Sequence, residues 1–325
     1  MKTISKFIPK YQLRLIILGI VLLFALVACS ANATGEPVTL KIAVLPILDS
    51  LPMYVAEEEG LFADNNVTVE FIPVGSAPER DQLISANQAD GMINEVVSTV
   101  FYNTDKTQIQ IVRYARAATP EQHLFSILAS ADSGITSVEG LKGVEIGVSH
   151  GTVIEYLTDR LLQNQGFIQD EITTVAVPSI GDRLALLGSG ELQAGMLPEP
   201  PTSLAQGGGA VVVIDDTTYP EVSFSTISFR MEIIDQHPDT IRGFLAALEE
   251  ATIRINANPE DYSDLLVEKQ LVPPPLVGSF AVPVYPTAGV PTLAQWQDAL
   301  AWTIEKGLNQ VKVSYEDSVT DEYLP

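Results

Sequence analysis

The stretch LKIAVLPILDSLPMYVAEEEGLFADNNVTVEF, residues Leu40–Phe71, decides the fold of this chain. Its first six residues form a short apolar run that favours a buried strand. Pro52 fits the first turn of a following helix, where its missing N–H costs nothing, and Gly60 is a typical helix end. Apolar residues then alternate with polar ones from Val67 to Phe71, the pattern of a strand with one buried face. The stretch therefore predicts strand, helix and strand in order.

The same alternation continues along the chain. Residues 80–87 and 95–102 are predicted helices, each followed by a short apolar strand. A second set of strands and helices occupies residues 124–214. Strands that alternate with helices indicate mainly parallel sheets covered by helices on both faces. The fold class predicted from the pattern alone is therefore α/β, with two such units.

Composition limits the classes of function. The chain has 325 residues, of which 46% are hydrophobic and 18% charged, which is typical of a globular protein of about two domains. Asp and Glu number 41 against 18 Lys and Arg, giving a formal net charge of -23. Such a surface disfavours binding to nucleic acid.

The N-terminus has the features of a secretion signal. Four basic residues precede an uncharged apolar run at residues 15–28, which is shorter than the roughly 20 residues needed to span a membrane. Leu26-Val27-Ala28-Cys29 follows and resembles the lipobox of bacterial lipoproteins. We expect residues 1–28 to be a lipoprotein signal peptide, Cys29 to be lipidated, and 29–36 to be a tether at the membrane surface. The alternative is an uncleaved anchor with an incidental cysteine.

Several kinds of catalytic and cofactor site lack sequence support. The chain contains no G-x-x-x-x-G-K-[ST] and no G-x-G-x-x-G motif. Its three histidines do not have metal-ligand spacing, and Cys29 is its only cysteine. We therefore predict no catalytic residues, no metal and no cofactor.

Three segments carry a resemblance to a known family: LPMYVAEEEGLF at 51–62, GLKGVEIGV at 140–148 and MLPEP at 196–200. In order and spacing they resemble the solute-binding proteins of ABC importers. The branch they resemble takes thiamine-pyrimidine precursors, aliphatic sulfonates, taurine or nitrate. This resemblance implies an extracytoplasmic receptor that delivers a small molecule to an ABC permease with its ATPase.

The resemblance also implies an architecture. It is the two-lobed type II periplasmic-binding-protein fold, in which the chain crosses twice between lobes and the ligand lies in the cleft. We expect lobe one at 37–122 with 225–325 and lobe two at 123–224. The permease, the lipid-bearing membrane surface and the small-molecule ligand are the expected partners, and nucleic acid is not.

Open α/β sheets bind ligands beyond the carboxyl ends of their strands, so the loops at those ends hold the candidate residues. Most of them are also explained as helix caps or turn residues. In the family branch that the sequence resembles, an acidic residue at the position of Glu199 can face the cleft. The predicted ligand-binding residues are Asp49, Ser50, Leu51, Gly75, Ser76, Asn94, Tyr114, His150, Gly151, Thr152 and Glu199.

The resemblance leaves the ligand open. An aminopyrimidine or related nitrogen heterocycle would use Glu199 and stacking tyrosines, and the acidic surface favours it. A sulfonate or nitrate would use helix N-termini and the arginines Arg113 and Arg116, and a flavin is a further alternative. The same fold also serves pyrimidine-synthase-like enzymes. Those carry a Cys- and His-rich segment that this chain lacks, so catalysis is the lesser hypothesis.

Overall fold

The computed structural model describes residues 38–325. The predicted signal peptide, the tether and Cys29 lie outside the described residues. The strands are β1 Thr39–Val44, β2 Thr68–Pro73, β3 Gly91–Asn94, β4 Ile109–Ala117, β5 Phe125–Ala129, β6 Glu145–Val148, β7 Thr173–Ala176, β8 Ala194–Pro198, β9 Val211–Asp215 and β10 Phe224–Arg230.

Twelve α-helices lie between and after these strands in the described part of the chain. They are α1 Leu51–Glu58, α2 Leu61–Asp64, α3 Ala77–Ser85, α4 Val96–Tyr102, α5 Val153–Asn164, α6 Ile180–Ser189, α7 Pro201–Gly207, α8 Met231–Gln236, α9 Pro238–Ala257, α10 Ser263–Glu268, α11 Leu293–Glu305 and α12 Tyr315–Ser318. None of the described helices combines the length and hydrophobicity that crossing a membrane requires.

The first sheet has the strand order β2-β1-β3-β10-β4. β1 pairs in parallel with β2 and β3, whereas β10 runs antiparallel to β3 and β4. The long helix α9 covers one face, where Phe244 stacks on Phe62 with ring centroids 5.2 Å apart and meets Phe229 edge-on. Aromatic packing of this kind fixes α9 on the sheet.

The second sheet repeats the arrangement, with the strand order β7-β6-β8-β5-β9. β6 pairs in parallel with β7 and β8, and β5 runs antiparallel to β8 and β9. The chain passes to this sheet between β4 and β5 and returns between β9 and β10. In each sheet, the first strand after a crossing, β10 or β5, is therefore antiparallel to its neighbours.

The predicted fold class is confirmed: two α/β sheets are flanked by helices. Both sheets are mixed, because each takes in a strand directly after a crossing. The lobe boundaries at 37–122 with 225–325 and at 123–224 stay a prediction.

Helix α11 contacts helices from both halves. Trp296 belongs to the same core cluster as Val97 of α4. On the other side, the indole Nε1 of Trp302 donates a hydrogen bond to Asp159 of α5 at 2.8 Å. Helix α11 therefore joins α4, beside the first sheet, to α5, beside the second.

Candidate functional site

A cleft lies between the two sheets and encloses about 550 Å³ of free space, including its open mouth. Most of its walls are apolar, from residues such as Leu45, Ile93, Phe125 and Ile180. The polar residues on the first-sheet wall are Asp49, Arg80, Asn94, Glu95 and Ser225, and those on the second-sheet wall are Ser149, Thr152 and Arg183. Several of them directly follow the carboxyl ends of strands, where ligands bind in open α/β sheets.

Arg183 is the main charged group on the second-sheet wall. Helix α6 carries it, and it is only 1% exposed. Its Nε donates to the carbonyl oxygen of Met196 at 2.9 Å, and its Nη1 donates to those of Val177 at 2.7 Å and Pro178 at 3.1 Å. Among residues 38–325, no carboxylate lies within ion-pair distance of it, and its Nη2 donates no hydrogen bond.

Burial lowers the pKa of Arg183 to about 10, because desolvation disfavours the charged form. The guanidinium is still protonated at neutral pH. A buried cation without an anionic partner is energetically costly, and an anion beside it would offset that cost. Arg183 therefore makes the second-sheet wall suited to an anionic group.

Helix α5 begins on the same wall. Thr152 is its N-cap: the hydroxyl oxygen accepts from the Ile154 N–H at 3.2 Å and its proton is donated to the Ser149 carbonyl at 2.8 Å. The side-chain hydroxyl of Ser149 is buried and has no hydrogen-bond partner among the described residues. The N-terminal end of a helix carries partial positive charge and favours anions. The Ser149 hydroxyl and the α5 terminus thus add to the effect of Arg183.

On the opposite wall, Arg80 is a buried cation that already has partners. Its guanidinium lies 2.8 Å from Asp81 and 3.6 Å from Glu95, and it donates to the Ser98 hydroxyl at 2.7 Å. Burial raises the pKa of the Glu95 carboxyl, and Arg80 opposes that rise. Acids therefore balance Arg80, which distinguishes it from Arg183.

Asp49 and Asn94 complete that wall. The Asp49 carboxylate accepts a hydrogen bond from the Ser225 hydroxyl and lies 3.7 Å from the Arg116 guanidinium. The Asn94 side chain donates through Nδ2 to the hydroxyls of Thr99 at 2.9 Å and Ser228 at 3.0 Å. Its Oδ1 is buried without a hydrogen-bond partner among residues 38–325.

Of the eleven residues predicted to bind ligand, Asp49, Asn94 and Thr152 line the cleft. Ser50 and Leu51 are buried just behind Asp49, and the Ser50 hydroxyl donates to the Leu45 carbonyl at 2.9 Å. The first predicted loop therefore contributes one of its three residues to the cleft wall.

Four of the predicted residues lie outside the cleft wall on the two helix-entry loops. Ser76 caps α3 by accepting from the Glu79 N–H, and the Gly75 N–H donates to the Glu79 carboxylate. His150 and Gly151 line an open depression next to the cleft, together with Asp81 of α3. Gly151 has a φ of +69°, a conformation that favours glycine, and this explains the residue type without a ligand.

Tyr114 and Glu199 are engaged with other side chains. The Tyr114 hydroxyl donates to Gln295 at 2.7 Å, and its ring packs edge-on against Phe224. The Glu199 carboxylate lies 2.7 Å from His123 Nε2 and accepts from the Ser203 hydroxyl at 2.9 Å. Their roles in binding stay predictions.

The two arginines considered for an anionic ligand have acidic neighbours. Arg113 lies 2.5 Å from Glu249 and also donates to the carbonyls of Tyr114 and Pro286. Arg116 faces Asp49. Neither is among the residues that line the cleft.

Sequence reasoning missed Arg183, Arg80, Ser149 and Phe125. Ser149 directly follows β6, so the rule that ligands bind beyond the carboxyl ends of strands could have identified it. Arg183 lies inside a helix, three residues after its start, where an arginine is ordinary. That no carboxylate of residues 38–325 pairs with it is a tertiary property that the sequence does not display.

Within residues 38–325, no three His, Cys, Asp or Glu side chains are grouped closely enough to hold a metal ion.

The family model described as NMT1/THI5 like matches residues 48–262. A putative aliphatic sulfonates-binding protein of Bacillus subtilis is 24% identical over 260 residues, 77% of this chain and 76% of that relative.

Two solved structures have the same fold. The alkanesulfonate-binding protein SsuA from Xanthomonas axonopodis pv. citri, bound to MOPS, superposes with a TM-score of 0.74 and 16% identity, covering 88% of this chain and 99% of that one. The periplasmic nitrate-binding protein NrtA from Synechocystis PCC 6803 has a TM-score of 0.70 and 16% identity, covering 89% of this chain and 87% of its own. The resemblance found in the sequence is confirmed, and the chain belongs to the NMT1/THI5-like family.

Proposed function

We propose that this protein is the extracytoplasmic solute-binding component of an ABC importer and that it binds a small organic oxoanion, a sulfonate. The observation that carries the proposal is Arg183, a buried guanidinium on the cleft wall with no carboxylate partner among the described residues. The names of the Bacillus relative and the Xanthomonas structure support the same ligand class.

The lining of the cleft favours a sulfonate over nitrate. Most of the wall is apolar, with Leu45, Ile93, Phe125 and Ile180 among its residues. A hydrocarbon group bound there would gain about 25 cal/mol for each Å² of apolar surface removed from water. Nitrate has no such group and would leave that wall unused.

The aminopyrimidine predicted from the sequence has less support in this cleft. A flat heterocycle needs aromatic faces, and Phe125 is the aromatic residue on the wall. Of the tyrosines considered for stacking, Tyr54 packs against Phe71, Tyr114 against Phe224 and Tyr156 against Trp302. A flavin would need the same kind of stacking surface.

We propose that the protein binds its ligand and does not convert it. Arg183, the N-terminus of α5 and the Ser149 hydroxyl together can hold an anion on the second-sheet wall. We further propose that lipid on Cys29 keeps the protein at the outer face of the membrane, where it meets its permease. Mass spectrometry of the N-terminal peptide tests this: a diacylglyceryl mass on Cys29 supports it, and an unmodified thiol contradicts it.

Thermal unfolding of the purified full-length chain with a ligand panel tests the proposed function. The panel contains ethanesulfonate, nitrate, an aminopyrimidine and riboflavin. A ligand at 100 times its Kd stabilises the folded state by about 2.7 kcal/mol. We expect this stabilisation with ethanesulfonate. Stabilisation by the aminopyrimidine alone, or turnover of any compound, would contradict the proposal.

A further inference from the structure

Glu155 holds the loop through which the chain enters helix α5. Its carboxylate accepts a hydrogen bond from the Gly151 N–H at 2.8 Å, and only 6% of the residue is exposed. Thr152, between the two, is the N-cap of α5. This is a variant of the capping box, in which an acid at the third helical position reaches back to the backbone that precedes the helix. Glu155 therefore helps to determine where this loop lies.

The groups that this loop presents to the cleft suit an anion. Ser149, Thr152 and Val153 line the cleft, and the Ser149 hydroxyl is buried without a partner among the described residues. The backbone N–H groups of Thr152 and Val153 have no acceptor within residues 38–325. N–H groups at the start of a helix are common donors to bound anions. Their positions depend on the backbone that Glu155 holds.

A carboxylate beside an anion site needs a compensating charge, because like charges repel. Lys306, directly after α11, lies 3.1 Å from the Glu155 carboxylate and 2.9 Å from that of Asp159. The Lys306 side chain is only 17% exposed, and partly buried charges are screened less by salt than exposed ones. Lys306 thus offsets the charge of Glu155, while the Glu155 carboxylate keeps its contact with the loop.

Helix α3, beside the first sheet, begins with the same arrangement. The Gly75 N–H donates to the Glu79 carboxylate at 2.8 Å, and Ser76 is the N-cap. Both helix starts have the sequence Gly-[Ser/Thr]-x-x-Glu. Of the α3 start, Ala77 lines the cleft, on the wall whose arginine is already balanced by acids. The two helices therefore share one capping contact but differ in what the capped loop presents to the cleft.

We propose that Glu155 is a positioning residue of the binding site. By accepting from the Gly151 N–H, it places the Ser149 hydroxyl and the first N–H groups of α5 for the anionic group of the ligand. This inference rests on the proposed function and adds a residue that does not itself touch the ligand. Glu79 makes the same contact at α3 without that role. What matters for binding is the reach of the side chain at position 155 and not its charge.

Calorimetry of ethanesulfonate against full-length variants tests this inference. Glu155→Ala should bind about tenfold more weakly than wild type. Glu155→Gln should stay within about threefold of wild type, because its amide oxygen can still accept from the Gly151 N–H.

Glu79→Ala is the matched control, because it removes the same capping contact from α3. Thermal unfolding should show a similar loss of stability in Glu79→Ala and Glu155→Ala. The affinity of Glu79→Ala for ethanesulfonate should stay within about twofold of wild type. A purely structural role of Glu155 would not separate the two variants in this way.

Glu155→Asp separates reach from charge and decides the matter if Glu155→Ala does not fold. It keeps the carboxylate but is one methylene shorter, so the carboxylate falls short of the Gly151 N–H. We expect it to bind ethanesulfonate about fivefold more weakly than wild type, or weaker still.

Wild-type affinity in Glu155→Asp, or in folded Glu155→Ala, would overturn the inference and leave the proposed function standing. Equal losses of affinity in Glu155→Ala and Glu79→Ala would do the same, as would a Glu155→Gln variant as weak as Glu155→Ala. Failure of the wild-type chain to bind ethanesulfonate would overturn the proposed function together with the inference.

Discussion

His123 Nε2 lies 2.7 Å from the Glu199 carboxylate, beside the segment where the chain first crosses between the sheets. Glu199 is buried, and the His123 side chain is 32% exposed. The hydrogen bond to Glu199 raises the pKa of His123 against the opposing effect of burial, and the charges of Asp215 and Asp216 act in the same direction as Glu199. The pair therefore makes a stabilising contact that depends on pH.

The first prediction concerns this pH dependence. Because the pKa of His123 is higher in the folded than in the unfolded state, its contribution is fully present below the unfolded value of about 6.5. It is lost as pH rises through the folded value. Urea unfolding of wild type and His123→Gln between pH 5.5 and 9 should show a stability difference that shrinks with rising pH.

Ser203→Ala is the matched control, because it removes another partner of Glu199 without removing a titrating group. Its effect should not vary with pH over the same range. A constant difference between wild type and His123→Gln across the range would contradict the assignment.

The second prediction concerns the buried contact between α5 and α11. Asp159 is fully buried and accepts from Trp302 Nε1 at 2.8 Å and from Lys306 Nζ at 2.9 Å. Asp159→Ala leaves the buried Trp302 indole N–H without its acceptor and the partly buried Lys306 ammonium with Glu155 as its remaining partner, so it should lower the free energy of unfolding by about 3 kcal/mol. Trp302→Phe should cost about 1–2 kcal/mol.

Arg242→Gln is the control for that pair of variants, because Arg242 forms an exposed ion pair with Glu322. Its cost should be below about 1 kcal/mol. Chemical denaturation measures all three. An Asp159→Ala variant as stable as Arg242→Gln would show that the α5–α11 contact adds little.

The third prediction compares alanine substitutions at two helical glycines. A Cβ on Gly243 of α9 would lie 2.7 Å from the Asn65 carbonyl oxygen, whereas a Cβ on Gly188 of α6 has nothing within 4 Å. Gly188→Ala should therefore stabilise by up to about 1 kcal/mol through helix propensity. Gly243→Ala should destabilise, because the backbone of Asn65 must move. Equal effects of the two substitutions on thermal unfolding would contradict the close packing of α9.

Much of the fold was predictable because local signals agreed with the tertiary structure. Leu40–Phe71 forms β1, α1, α2 and β2, and Gly60 has the positive φ of a helix end. The helix predicted at 80–87 starts earlier, at Ala77, because Ser76 accepts from the Glu79 N–H and caps it. Apolar periodicity locates a helix, but the capping contact determines where it begins.

The site was predictable only where it follows strand ends. Asp49, Asn94 and Thr152 were found by that rule, since β1, β3 and β6 direct their following loops to the cleft. Arg183 was not found by it, because what distinguishes Arg183 is that no carboxylate in the described part of the chain lies near it. Glu199 was selected for its position after β8. Its partner His123 lies 76 residues away in sequence, so the strand-end rule could not predict the pair.

Titration calorimetry of ethanesulfonate against wild type, Arg183→Met and Arg254→Gln tests the central claim most directly. Arg254 is an exposed arginine paired with Glu59 and Glu250, so its substitution serves as the control for loss of one positive charge. We predict that Arg183→Met weakens binding about 30-fold or more, about 2 kcal/mol, while Arg254→Gln stays within about twofold of wild type. A folded Arg183→Met protein that binds ethanesulfonate as tightly as wild type would contradict the account.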